Sequence, residues 1–154
     1  MNRIGMAIDV SHLSEKGFWD VCEHSNKPFI ASHSNAKAIC KNKRNLSDEQ
    51  IREIIRLGGC IGINFYPVFL TDNTYCGVCD IIKHIEHILS LGGENNLGFG
   101  SDFDGIDILP DGISGVEDYE KLINELLKLG YKESFVKKIC SENFLNVLDI
   151  IFTT

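Results

Sequence analysis

The chain has 154 residues, of which 44% are hydrophobic and 24% charged, and a formal net charge of -7. This composition predicts one globular domain over residues 1–154, and its acidic balance argues against nucleic acid or an anionic membrane as a partner. No window approaches the roughly eighteen apolar residues of a membrane helix, and the start of the chain lacks a signal-like apolar region, so a cytoplasmic location is expected.

Met6-Ala-Ile-Asp-Val-Ser-His12 opens the chain as an apolar run closing on Ser-His, with a strand predicted over Gly5 to Val10. Ser14 stands where a helix N-cap belongs, ahead of Phe18, Val21 and Cys22 at helical spacing. Pro28 begins a second apolar run, and the strand predicted from Phe29 to Ser32 ends in Ser32-His33-Ser34. Ala36 to Arg44 reads as loop with a short helical turn. Ser47-Asp-Glu-Gln50 has the spacing of a capping box, which starts a helix carrying Ile51, Ile54 and Ile55 and ending at Gly58 and Gly59.

Cys60 to Phe65 is the third predicted strand, followed by a loop through Pro67. A helix with Val78, Ile81, Ile82, Ile85, Ile88 and Leu89 on one face then runs to Gly92 and Gly93. The fourth strand, Leu97 to Gly100, leads into Ser101-Asp-Phe-Asp-Gly105 and a Gly/Pro/Asp-rich loop, and two helices are expected over Val116 to Leu129 and Lys132 to Ile151. Strand and helix alternate four times, the pattern of βαβ units around a parallel sheet. A complete eight-fold barrel needs about 250 residues. The expectation is therefore an α/β fold, the C-terminal half of a TIM (β/α)8 barrel with about four parallel strands and two C-terminal helices.

Parallel strands assemble active sites at their carboxyl ends, where loops bring groups from several strands to one point. His12 and His33 each close a strand, 21 residues apart, so their imidazoles are candidates for one metal ion. Asp102 follows the fourth strand and is read as closing the same pocket, while Asp104 is read as structural. Arg44, in the loop after His33, is able to clamp a carboxylate with two parallel hydrogen bonds. Cys76-Gly-Val-Cys79 has redox or zinc-knuckle spacing but lacks the second ligand pair or fold context for either. The six cysteines are expected to be reduced structural thiols. His84 and His87 lie on the isoleucine-bearing helix, displaced from its apolar face, and are given a surface or packing role.

Taken together, Ile8-Asp-Val-Ser-His12, Ile30-Ala-Ser-His-Ser-Asn35, Arg44-Asn-Leu-Ser-Asp48, Ile63-Asn-Phe-Tyr66, His84-Ile-Glu-His-Ile88, Gly98-Phe-Gly-Ser-Asp-Phe-Asp-Gly105 and Glu142-Asn-Phe-Leu145 resemble, in order, the membrane (renal) dipeptidase family. The resemblance implies an amidohydrolase-like barrel with a two-zinc site, in which His12 and His33 are the histidine ligands of one Zn2+. Arg44 would then hold the carboxylate of a dipeptide substrate, and Asp102 would stand near the substrate's amino end and the reacting peptide bond. The family hydrolyses dipeptides, often tolerating a D-residue at the second position.

In the family, a His-x-Asp pair, a carboxylate bridging both zincs and a further histidine come from the first half of the barrel. No His-x-Asp occurs in this sequence, and its first residues match the middle of the family's chain. This suggests a natural truncation, a split gene or a misplaced start codon, with a chain inactive alone that pairs with a missing N-terminal half or with itself. The alternative is a non-catalytic remnant, a half-barrel that folds only by pairing with itself or a partner half.

Overall fold

The computed structural model describes residues 1–153. Three strands, β1 (Ile30–Ala31), β2 (Cys60–Asn64) and β3 (Leu97–Ser101), form a parallel sheet in the order β1-β2-β3. Ile30 pairs with Cys60, and Ile61 to Ile63 pair in step with Leu97 to Phe99 before the register shifts at Asn64, which faces Ser101. Every residue of β2 is buried, as expected for a central parallel strand covered on both faces.

The strand expected over Gly5 to Val10 is reduced to a single bridge, Asp9 beside Ile30, so the sheet has three strands rather than four. Two ladder bonds survive: Ile30 N–H to the Ile8 carbonyl at 2.9 Å, and Val10 N–H to the Ile30 carbonyl at 2.8 Å. Gly5, at φ 63°, turns the chain just before this stretch. Just after it, the Asp9 carboxylate takes the Ser11 amide at 3.1 Å and ends the extended run.

The helices are α1 (Glu15–His24), α2 (Asp48–Arg56), α3 (Pro67–Leu70), α4 (Val78–Ser90), α5 (Tyr119–Lys128), α6 (Glu133–Lys137) and α7 (Asn143–Phe152). Ser14 caps α1 by accepting from the Gly17 amide, and Ser47 and Gln50 close the expected capping box on α2. The loop through Pro67 contains the one-turn helix α3, with proline at its first turn where no N–H is needed. The stretch from Ala36 to Arg44 is a series of turns that closes through a bridge from Ala36 to Leu46. The helix expected from Val116 begins as a 3-10 turn, Val116–Asp118, and the last one passes through a π turn, Lys138–Glu142, between α6 and α7.

One large apolar cluster joins Ile61, Ile63 and Leu97 of the sheet to Ile51 and Ile54 of α2 and Ile81, Ile85 and Ile88 of α4. A smaller one joins Cys60 to Val147 and Ile151 of α7. Alternate residues of β2 thus face opposite helical layers. Gly62 and Gly100 are needed for close approach: a Cβ at either would fall 2.1 Å from the Ser32 carbonyl oxygen. Their bare backbones let the end of β1 pass tightly over β2 and β3, and this seats His33 at the sheet's carboxyl edge. No helix of the described residues is long and apolar enough to cross a membrane.

Candidate active site

Ser11 and His12 follow the first ladder segment, Ser32 and His33 follow β1, Asn64 ends β2, and Asp102 follows β3. The sheet therefore delivers all of these residues to one edge. The two Nε2 atoms of His12 and His33 lie 2.8 Å apart, with ring centroids 4.9 Å apart and planes at 56°. Arg44 reaches the same point from its loop. One of its terminal nitrogens stands 3.2 Å from His12 Nε2, and the other donates to the Ser11 carbonyl. Its guanidinium carbon sits 5.7 Å from the centre of the Phe69 ring, a cation–π stack that aims the side chain.

His33 is held from behind. Its Nδ1 lies 2.7 Å from the Ser32 hydroxyl, which donates to Asp9 Oδ2 at 2.5 Å, while Asp9 Oδ1 accepts from the Ser32 amide at 3.0 Å. Burial works against ionisation of Asp9, but these bonds and the one from Ser11 N–H outweigh it and hold the carboxyl below its usual value. Partial burial also lowers the basicity of His33, an effect that the nearby carboxylates of Asp102 and Asp9 oppose and that His12 and Arg44 reinforce.

Asp102 joins the group through Asn64. Asn64 Nδ2 donates to Asp102 Oδ2 at 3.0 Å, the Asn64 amide donates to Asn35 Oδ1 at 3.0 Å, and Asn35 Nδ2 returns a bond to the Asn64 carbonyl. Ser101 at φ 22° and Asp102 at φ 72° are the two non-glycine residues with positive φ among the described residues. Such backbone is costly, and here it follows the register shift that turns Asp102 out of the strand toward the histidines. A cleft of about 310 Å³ opens beside this edge, lined in part by Ser11, His12, Lys43 and Arg44. Larger clefts of about 740 and 720 Å³ lie against α1 and between α4 and α5, but neither gathers two imidazoles.

His12, His33 and Arg44 are thus in contact, and Asp102 stands close enough to act on His33 electrostatically. Sequence reading missed Asp9, Ser32 and Asn64. The signal for Asp9 was a carboxylate interrupting an apolar run. His84 is not displaced from the apolar face: it is fully buried, with Nδ1 accepting from the Ala36 amide at 3.0 Å and Nε2 donating to the Leu70 carbonyl at 2.9 Å. His87 instead bonds Asp48 at 2.7 Å, so the two do not converge. The six cysteines are free, and burial pushes the Cys76 thiol up to about 12, which suits an inert thiol rather than a redox pair with Cys79.

A parallel sheet sheathed by helices, with its polar groups collected where the strands end, defines an α/β protein of the kind that builds its site at the carboxyl edge. The family model for membrane dipeptidases, peptidase family M19, matches residues 1–154, and the chain belongs to that family. It is 41% identical over 152 residues to the uncharacterized protein in the pqqA 5′ region of Klebsiella pneumoniae, covering 96% of this chain and 56% of that protein. It is similar to a metallo peptidase from Rhodobacter sphaeroides solved with a phosphinate mimic of the dipeptide L-Ala-D-Ala, at a TM-score of 0.92 and 37% identity over 97% of this chain and 44% of that one. The crystal structure of dipeptidase AC, an M19 metallo peptidase, superposes at a TM-score of 0.93 with 36% identity over 99% of this chain and 46% of that one. The chain spans about half the length of the relatives it matches.

Proposed function

We propose that this chain is the part of a barrel-shaped, zinc-dependent dipeptidase that carries His12 and His33. His12 and His33 hold one metal ion, Arg44 binds the free carboxylate of the substrate, and Asp102 serves the reacting peptide bond. The observation that carries this reading is the convergence of two Nε2 atoms at 2.8 Å with a guanidinium beside them. Imidazole nitrogens suit zinc, and two of them bound tetrahedrally at roughly 2.0–2.1 Å would stand about 3.3 Å apart, so the pair needs to open by only about half an ångström. Among the described residues, no group of three or more His, Cys, Asp or Glu side chains converges on such a point. His12 and His33 are therefore proposed as two ligands of one metal ion.

Bound zinc would supply Lewis acidity for the scissile carbonyl and for the attacking water. The residues of this chain do the rest. Arg44 offers a planar fork that pairs bidentately with a carboxylate adjoining the cleaved bond, which favours dipeptides over longer peptides. To do so it must exchange its present contact with His12 for the substrate. Asp102, held by Asn64, would exchange a proton at the amide being cleaved. L-Ala-D-Ala, whose phosphinate mimic occupies the Rhodobacter sphaeroides relative, is the natural first substrate to try.

The test is a chimera in which this chain replaces the matching segment of an active M19 dipeptidase. It should hydrolyse L-Ala-D-Ala with added zinc and lose activity on His12→Ala or His33→Ala. Arg44→Ala should raise KM on the order of 10- to 100-fold with a smaller change in kcat, because a carboxylate clamp acts in ground and transition states alike. Arg44→Lys should restore little. A folded chimera that binds zinc yet stays inactive would refute the assignment, and so would an Arg44→Ala chimera with unchanged KM.

A further inference from the structure

Three donors converge on the Asp9 carboxylate: the amides of Ser11 and Ser32 on Oδ1 at 3.1 and 3.0 Å, and the Ser32 hydroxyl on Oδ2 at 2.5 Å. The Ser32 oxygen lies in turn 2.7 Å from His33 Nδ1. An ionised carboxylate only accepts hydrogen bonds, so the hydroxyl proton must point at Asp9. The Ser32 oxygen is then left as an acceptor toward the ring, and Nδ1 has to carry the imidazole proton. The remaining nitrogen, Nε2, keeps a bare lone pair, and it is the one 2.8 Å from His12 Nε2.

We propose that Asp9 is a positioning residue for His33: acting through the Ser32 hydroxyl, it fixes the imidazole tautomer so that Nε2 is always available as a metal ligand. This deepens the reading of His12 and His33 as a metal pair and rests on it. A ligating histidine is commonly oriented by a carboxylate on its second nitrogen. Here a serine is interposed, and the same serine's amide is tied to the same carboxylate, so one group sets both the ring's proton and the backbone that carries the ring. Asp9 precedes the end of the first ladder segment and Ser32 follows β1, so the relay also locks the two histidine-bearing loops to one another.

The relay has a direction that an isosteric change reverses. In Asp9→Asn the new NH2 group faces the Ser32 oxygen as a donor, which frees the hydroxyl proton to turn toward His33 Nδ1. The ring proton is then driven to Nε2, where it blocks metal binding. Ser32→Ala removes the link altogether and leaves the tautomer unfixed.

Long-range proton–nitrogen NMR of the metal-free chain reads the tautomer directly. The wild type should show His33 protonated at Nδ1, Asp9→Asn should show it at Nε2, and Ser32→Ala should show a mixture. Calorimetric titration with Zn2+ alone should show an affinity about 10- to 100-fold lower in both variants than in the wild type. A wild-type His33 protonated at Nε2, or an Asp9→Asn chain that keeps its fold, its tautomer and its zinc affinity, would overturn the proposal. Should Asp9→Asn fail to fold, the wild-type spectrum and Ser32→Ala still decide it. If the tautomers behave as stated while the wild type takes up no zinc, the relay stands and the metal reading falls.

Discussion

His84 and His33 are both held at Nδ1 and Nε2, but by different kinds of partner. His84 gives both nitrogens to backbone groups, the Ala36 amide and the Leu70 carbonyl, deep beneath the loop that carries Arg44. His33 gives one nitrogen to a serine–carboxylate relay and turns the other to the partly open edge of the sheet, toward His12. Two satisfied backbone groups make His84 a strut, whereas His33 keeps one nitrogen facing another imidazole, which is what the proposed ligand role needs. The same side chain thus serves stability in one place and, on the proposed reading, chemistry in the other, and its second contact distinguishes the two.

The contrast is sharpest on removal. His84→Ala leaves the Ala36 N–H and the Leu70 carbonyl without partners in the core and opens a void where the ring stood. Both penalties are large for buried groups, and together they should cost about 4 kcal/mol. That is a substantial share of the roughly 5–15 kcal/mol that holds a domain together. Urea titration followed by circular dichroism should show the midpoint fall. A variant as stable as the wild type would mean that water or a shift of α3 replaces the ring, and the strut reading would go.

A somewhat smaller effect is expected from acid. Burial pushes His84 down to about 4, whereas in the unfolded chain it titrates near its ordinary 6.5. Above 6.5 it is neutral in both states, and its stabilising contacts are fully in force. As pH falls from 6.5 toward 4 the unfolded chain takes up a proton that the folded chain refuses, so stability declines across that window by on the order of 3 kcal/mol. His33, also held low, adds to the same slope. The diagnostic is therefore the difference between the wild type and His84→Gln, whose amide can bond both backbone groups without titrating. Parallel stability curves for the two proteins between pH 4 and 7 would show that His84 is not the buried acid sensor.

Local signals in the sequence were sufficient for the elements that local chemistry decides. Ser47 and Gln50 announce the start of α2, and the unbroken apolar run from Cys60 announces a strand buried on both faces. That His12, His33 and Asp102 meet at the carboxyl edge was legible, because a polar residue closing an apolar run sits where a parallel strand ends. Asp9 was not, since its meaning depends on Ser32, a contact 23 residues away that exists only once the strands pair. The same carboxylate, with the turn at Gly5, bounds the first expected strand, which shrinks to one bridge. His84 is a different lesson: it stands three residues after Ile81 and four before Ile88, which is the apolar face of α4 by helical geometry. Its position in the helix, rather than its polarity, decides its burial.

The smallest effect on stability is expected at His12, and it completes the comparison. Its ring is exposed, and its hydrogen-bond partners among the described residues are His33 and the Arg44 guanidinium, both at the open edge of the sheet. His12→Ala therefore orphans no buried backbone group and creates no cavity, and its stability should stay within about 0.5 kcal/mol of the wild type. Zinc uptake should fall nonetheless, because a single imidazole remains where two converged. Urea midpoints and zinc titrations on His12→Ala and His84→Ala, measured together, should move in opposite senses: stability kept and zinc lost in the first, stability lost in the second. A His12→Ala chain destabilised as much as His84→Ala would show that the histidine edge carries the fold as well as the ligands, and the division between strut and site would not survive.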